Sequence, residues 1–175
     1  MQEIDEIYNA YIFLKDSLRV TGRIFDRKLP AIQRKTIFEA MPYEEFGKSH
    51  DLALMELDNL AVLALFAAFE RLMRDSISEK FDVLKTIPPG DLGAGVYKLT
   101  SAEVERWRIE DIISLFGFMA GMENINRLKE ILKYRNWIAH GKNQNKKPPA
   151  RIDPKMAYEA INYFMNSMTN TIERK

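Results

Sequence analysis

Apolar residues recur along this chain with the three-to-four-residue spacing of an α-helix, and no segment alternates apolar and polar residues as a β-strand does. The spacing predicts a first helix over about residues 2–19, a shorter one after Pro30, and a long one from Ser49 to about Phe81. The middle of the long helix is apolar on every side, which is typical of a central helix surrounded by others.

Glycine and proline residues mark the breaks in the second half of the chain. The segment TIPPGDLGAGVYKLTSAE indicates a loop, and Thr100 has the spacing of a capping box that begins a helix over about 101–120. Gly121 separates this helix from the next one, which reaches Ala139.

The last predicted helix follows a second loop, GKNQNKKPPARID, and extends from Pro154 to about Glu173. The whole pattern predicts an all-α fold, an up-and-down bundle of four to five main helices. At 175 residues the chain is long enough for one domain with a hydrophobic core and too short for two. We expect a core bundle over about 49–173 and a helical extension over 1–48.

The composition is that of a folded protein, with 46% apolar and 29% charged residues. The absence of cysteine excludes a disulfide framework, a thiolate zinc site and a cysteine nucleophile. The N-terminus is acidic where a secretory signal would be basic, and the apolar run LAVLALFAAF is shorter than the roughly 20 residues of a membrane span. We therefore expect a cytoplasmic protein that does not enter a membrane.

The net charge of +1 conceals an uneven distribution of charge. Acidic residues predominate over 39–58, and the segment 131–152 is basic without any acid. Runs of this kind are typical of a solvated face as well as of a binding surface. The basic side chains of the second run are Lys133, Arg135, Lys142, Lys146, Lys147 and Arg151.

Arg135 interrupts an apolar stripe. At about 100° per residue it lies in the middle of the face that Leu128, Ile131 and Leu132 form. A guanidinium does not lose its proton, so it needs an acidic partner or a cleft open to water or ligand. Glu70 interrupts the apolar stripe of the long helix in the same way, and we predict that the two residues pair. The simplest alternative is a salt bridge with a purely structural role.

His140 is one of only two histidines in the chain and follows Arg135 by five residues. On an unbroken helix the two side chains would point roughly 140° apart, whereas Asn136 and His140 would share a face. Gly141 is the residue type that ends helices, and we expect Arg135 and His140 to converge only if the helix ends there. A histidine that merely caps the helix is the competing interpretation.

An arginine and a histidine together suit one kind of chemistry. Arginine binds phosphate with two donors, and histidine transfers protons near neutral pH. With no metal and no cofactor, the pair fits cleavage of an RNA phosphodiester by attack of the 2′-hydroxyl. In that hypothesis the RNA backbone is bound by Lys133, Lys142, Lys146, Lys147 and Arg151.

The segment YRNWIAHG resembles the R-x4-6-H motif of the HEPN superfamily (higher eukaryotes and prokaryotes nucleotide-binding), with Arg135, Asn136 and His140 at the motif positions. The resemblance implies a helical bundle that dimerises and brings two motifs into one cleft. It also implies a metal-independent endoribonuclease of the toxin or phage-defence type, often with an antitoxin protein as partner. Arg135 would bind the scissile phosphate, His140 would act as general acid or base, Asn136 would orient it, and Glu70 would be a supporting acid.

One position departs from the pattern of the superfamily, and two other functions are also compatible with the sequence. Some toxins of the superfamily are silenced by nucleotide transfer onto a tyrosine two positions after the histidine, and Lys142 occupies that position here. Membership of a superfamily also leaves two other functions open. One is a non-catalytic module that binds nucleotide, RNA or protein, and the other is a helical adaptor in which these residues are structural.

Overall fold

The computed structural model describes residues 2–27, 33–82, 106–116, 120–142 and 147–172. Within these residues the secondary structure is helical and contains no β-strand, so the predicted all-α bundle is confirmed. The α-helices, in chain order, are α1 (Gln2–Asp26), α2 (Tyr43–Asp82), α3 (Ile109–Leu115), α4 (Met122–Ala139) and α5 (Pro154–Ile172).

Helix α2 is the centre of the bundle. It packs against α1, α4 and α5, while the short helix α3 packs against α4. Phe66, Phe69 and Met73 of α2 are fully buried, and the ring of Phe69 meets Phe164 of α5 edge to face at 5.6 Å. Each such side chain contributes roughly 1.5–3 kcal/mol through burial. The predicted central position of the long helix is therefore confirmed.

The apolarity of α2 also meets the length and hydropathy requirements of a membrane span. Tyr43–Glu79 has a mean hydropathy of 1.8 over its most apolar window, and 44% of that window is buried inside the bundle. Core helices of folded bundles have the same composition. Packing against three neighbouring helices accounts for the buried part of this apolar surface.

Helix α1 is longer than the sequence predicts, because Gly22 does not end it. The imidazole of His50 on α2 lies against Gly22, and a Cβ atom built on this glycine would be 3.1 Å from the histidine Nε2. The same Nε2 is 2.9 Å from the carbonyl oxygen of Leu18. The glycine therefore permits a close approach of α1 and α2, and the predicted end near residue 19 is wrong.

Helix α2 begins at Tyr43, so the predicted start at Ser49 is wrong. Gly47 lies inside the helix. The ring of Phe46 beside it is buried and stacks on Phe25 of α1 with the ring centroids 3.7 Å apart. This packing fixes the first turns of α2 despite the roughly 1 kcal/mol that a glycine costs in a helix.

Two shorter predicted helices also differ from the structure. Residues 33–40 form successive tight turns instead of a continuous α-helix, and Lys35 has a φ of 61°, which a helix does not accommodate. Helix α3 begins at Ile109 after an extended residue, Arg108, so the continuous helix predicted over about 101–120 is wrong, and its predicted start lies outside the described residues. The capping residue Thr100 lies outside the described residues.

The predicted boundaries of α4 and the predicted start of the last helix are confirmed, while the end predicted at about Glu173 lies outside the described residues. Gly121 precedes α4 with a φ of 76°, a backbone conformation that favours glycine. Pro154 is the first residue of α5, where its missing N–H has no intrahelical partner to lose. The carboxylate of Asp153 accepts a hydrogen bond of 2.8 Å from the backbone N–H of Lys155 and caps this helix.

Asp58 on α2 is a buried acid that joins three parts of the chain. Its carboxylate accepts hydrogen bonds from Tyr11 (2.8 Å) and Lys15 (2.9 Å) of α1 and from Arg151 (2.8 Å) before α5. Burial alone would raise the pKa of Asp58, but the hydrogen bonds from Lys15 and Tyr11 and the positive charges of Lys15 and Arg151 outweigh it and lower that pKa. The ionised carboxylate therefore stabilises the folded state.

Replacing Asp58 with asparagine should lower the free energy of unfolding by about 2 kcal/mol at neutral pH, because it leaves Lys15 partly buried without an anion. A lowered pKa means that the contribution of the carboxylate is complete above the unfolded pKa of about 4 and is lost as the pH falls through the folded value. In urea titrations the free energies of unfolding of the wild type and of Asp58→Asn should therefore converge as the pH falls below about 4. The exposed Asp16→Asn is the matched control and should change stability little at any pH. A deficit of Asp58→Asn that is the same in acid as at neutral pH would contradict this assignment.

Candidate functional site

The end of α4 is a chain reversal built on Gly141. Its N–H donates to the carbonyl oxygen of Ile138 at 3.0 Å, and the N–H of Lys142 donates to that of Trp137 at 2.9 Å. These two bonds are those of a Schellman motif with His140 as the C-cap residue. Gly141 has a φ of 73° and Lys142 a φ of 53°, so two successive residues are left-handed. The predicted end of the helix at Gly141 is confirmed.

Arg135 lies between Glu70 and its own neighbour Asn136. Its Nη2 is 3.7 Å from Oε2 of Glu70, and its Nη1 donates to Oδ1 of Asn136 at 3.0 Å. The predicted pairing of Arg135 with Glu70 is therefore present. The side chains of Arg135 and Glu70 remain 30% and 25% exposed, so this pair is open to solvent rather than sealed in the core.

A second arginine shares the carboxylate of Glu70. Nη2 of Arg74 donates to Oε1 of Glu70 at 2.9 Å and to the carbonyl oxygen of Trp107 at 3.0 Å. Glu70 thus holds one guanidinium on each oxygen, and the three charges sum to +1. The sequence interpretation missed Arg74, although its position four residues after Glu70 on a helix is a signal for such a pair.

His140 is exposed, and its backbone has left the helical range, with φ at −91° and ψ at 22°. The backbone N–H of His140 donates to the backbone carbonyl oxygen of Asn136 at 3.0 Å. Among the described contacts, its imidazole makes no hydrogen bond to Arg135 or to the side chain of Asn136. The amide of Asn136 contacts the guanidinium of Arg135 instead, so no described hydrogen bond joins the imidazole of His140 to the other two motif residues.

The predicted RNA-binding cations divide into two groups. The ammonium of Lys142 binds the carboxylate of Glu56, and Arg151 binds Asp58, which also binds Lys15, so both cations form ion pairs with α2. The side chains that are exposed and form no ion pair with a described residue are Lys133 and Lys147. Lys146 lies outside the described residues.

A polar connection between α2 and α4 accompanies these ion pairs. The hydroxyl of Tyr134 donates to Oδ1 of Asn59 at 2.7 Å, and Nδ2 of Asn59 donates to Oε2 of Glu56 at 3.2 Å. Hydrogen bonds from Lys142 first, and then from Asn59, lower the pKa of Glu56. The acidic run over 39–58 was the sequence signal for Glu56 and Asp58, but it did not reveal their partners.

In the described part of the chain, no three histidine, aspartate or glutamate side chains cluster as they would around a metal ion. No protein-family model, curated protein or solved structure matches this chain. The chemistry that the site can support follows from its own geometry. That geometry offers a partly exposed guanidinium suited to a phosphate and an exposed imidazole suited to proton transfer.

Gly141→Ala should lower the free energy of unfolding by about 1 kcal/mol, because a Cβ atom is disfavoured at a left-handed φ. No atom lies within 4 Å of the added methyl group, so the backbone conformation alone sets the effect. Gly47→Ala is the matched control, since that glycine is helical and its Cβ position is equally open. It should raise stability by about 1 kcal/mol in the same denaturant titration. Equal effects of the two substitutions would contradict the assigned conformations.

Proposed function

We propose that this protein is a metal-independent endoribonuclease of the toxin-antitoxin or phage-defence type. The observation that carries the proposal is Arg135, a partly exposed guanidinium held by Glu70 and Asn136 on the helix whose C-cap is the exposed His140. An arginine fixed in this way presents its remaining donors to an anion. The HEPN-like sequence RNWIAHG supports the same function.

The proposed reaction uses no atom beyond those of RNA and the protein. The ribose 2′-oxygen attacks the adjacent phosphorus, and the bond from phosphorus to the 5′-oxygen breaks. A 2′,3′-cyclic phosphate and a 5′-hydroxyl form, while one proton moves from the 2′-hydroxyl to the leaving oxygen. His140 acts as general base or general acid, and Arg135 stabilises the negative charge that develops on the phosphoryl oxygens.

A second copy of this chain completes the site in this proposal. No described hydrogen bond joins Arg135 to His140 within one chain. Two copies together can place more of these groups around one phosphate. An exposed apolar strip on α2, formed by Leu60, Ala64 and Ala67, ends three residues before Glu70. Its residues have helical spacing, and its small side chains allow a helix of the second copy to approach closely. We propose that this strip is the homodimer interface.

The remaining elements of the proposal rest on the HEPN-like motif. RNA is the proposed substrate, the proposed location is the cytoplasm, and an antitoxin protein is the proposed regulatory partner. Lys142 stands where a tyrosine would accept a nucleotide, so we propose inhibition by protein binding rather than by modification at that position. Lys133 and Lys147 are the exposed cations available to the RNA backbone.

Purified protein should cleave single-stranded RNA in excess chelator and leave a cyclic phosphate. His140→Ala should lower kcat by at least about 100-fold, because proton transfer is lost. Arg135→Ala should lower it by about 100-fold or more, because charge on the phosphoryl oxygens is no longer stabilised. The matched control is Arg127→Ala, which removes an exposed arginine of the same helix that pairs only with Glu123 among the described residues. Its kcat should equal that of the wild type.

The same experiment distinguishes the non-catalytic alternative. Cleavage that survives in His140→Ala would exclude the proposed mechanism. Binding of RNA without turnover, weakened by Arg135→Ala and by salt, would instead establish the binding module. The exposed imidazole of His140, which forms no hydrogen bond with a described residue, is the observation that favours testing this alternative.

Ala64→Arg should convert the dimer to a monomer and abolish cleavage, because the charged side chain replaces a small group at the proposed interface. Ala64 is exposed in the single chain, so the helix content should change little, while the unfolding temperature should fall because the second copy no longer stabilises the fold. Light scattering after gel filtration measures the mass. Met122→Arg, at an exposed apolar residue on α4, is the control and should leave both mass and cleavage unchanged. A wild-type protein that is monomeric and active would contradict this interface.

A further inference from the structure

A short stretch of α2 binds the end of the motif helix at two points. Glu56 binds Lys142, just beyond the end of α4, and Asn59 accepts the hydrogen bond of Tyr134 inside α4. Asn59 also donates to Glu56, so the two contacts are connected. We refer to Glu56, Asn59, Tyr134 and Lys142 together as the clasp. It spans the chain reversal that contains His140.

The backbone of Lys142 shows why this clasp matters. Lys142 has a left-handed φ of 53°, which a residue with a Cβ atom disfavours. Its N–H bond to Trp137 and its ion pair with Glu56 are the contacts that offset this preference. Since Gly141 and Lys142 together turn the chain away from α4, they also fix where the helix ends. Without that turn, another residue would be free to become the C-cap.

The position of His140 depends on this helix end. Each residue added to or lost from a helix rotates the following side chain by about 100°. His140 has no hydrogen bond from its imidazole to a described residue that would hold the ring independently. The backbone reversal is therefore what determines its position, and the clasp is what fastens the reversal to α2.

The charge of Lys142 is consistent with a structural use. Its side chain is 30% exposed and its ammonium is bound to a carboxylate. Displacing Glu56 to bind a phosphate would exchange one anion for another and would release the helix end. The exposed Lys133 and Lys147 form no ion pair with a described residue, so they can bind a phosphate without such an exchange.

We infer that Glu56 is a positioning residue that acts through Lys142 to fix the chain reversal after His140. This inference rests on the proposed ribonuclease activity for its catalytic consequence. Its structural part, the dependence of the His140 backbone on the ion pair, holds independently of what the protein does. Lys142 then belongs to the support of the site and not to its RNA-binding surface.

A charge swap tests the inference. Glu56→Lys and Lys142→Glu each place like charges together, and the double variant restores an ion pair of opposite direction. Backbone amide resonances of His140 and Gly141 are measured without RNA, and kcat and KM are measured on single-stranded RNA. Each single variant should shift both resonances and lower kcat by about tenfold or more, because the imidazole is misplaced. The double variant should restore the resonances and kcat.

Further variants keep the outcome interpretable. Glu56→Gln and Lys142→Gln remove the attraction without repulsion and replace the single variants if either does not fold. Exchanging Glu123 and Arg127, an exposed ion pair on the same helix, is the matched control and should change neither readout. Folding of every variant is checked by circular dichroism.

Two outcomes would overturn the inference. If Lys142 binds RNA phosphate, Lys142→Glu and the double variant will both raise KM and reduce the salt dependence of binding, and the swap will not rescue. If the resonances of His140 and Gly141 stay unchanged in the single variants, the clasp does not position the helix end. A wild type that does not cleave RNA would refute the proposed function, while the resonances alone would still decide the inference.

Discussion

The burial of α2 between three other helices is the constraint on which the rest of this structure depends. A polar side chain on a buried face of this helix needs a hydrogen-bond or ion-pair partner, because removing the side chain from water is costly. Asp58 binds α1 and the segment before α5, while Asn59 binds α4. Glu56 and Glu70 bind Lys142 and Arg135. These four polar residues of α2 therefore fix the relative positions of its neighbours, in addition to the apolar core.

This arrangement places the motif helix between two acids of α2. Glu56 holds the chain just past the end of α4, and Glu70 holds the guanidinium one and a half turns before that end. The two contacts act on opposite sides of His140 in the sequence. Thermal fraying of the last turn, which is common at helix ends, is thereby opposed at the residue that the proposed chemistry needs. The site residues are therefore held in position by their contacts with the central helix rather than by the terminal turn itself.

Local signals in the sequence predicted the helices and several of their ends. Gly121, Gly141 and Pro154 act within one turn of themselves, so their effects follow from the residue type. The predicted start of α2 was wrong because the ring of Phe46 stacks on Phe25. This contact between helices outweighs the tendency of Gly47 to interrupt a helix. The pairing of Glu70 with Arg135 was predictable because each interrupts an apolar stripe. The ion-pair partners of Lys142 and Arg151 could not be predicted from the sequence, because they depend on how α1, α2 and α4 cross one another.

The strength of the contact between Arg135 and Glu70 bears on whether Arg135 can bind substrate. At 3.7 Å the closest atoms are an ion pair but not a hydrogen bond, and Oε1 of the same carboxylate already accepts from Arg74. Asn136 takes one of the five guanidinium donors. A phosphate that offers two hydrogen bonds would therefore add to the contacts of Arg135 rather than replace a strong one. A carboxylate at this distance orients the arginine and leaves its charge available, whereas a closely bonded pair would hold the two charges together.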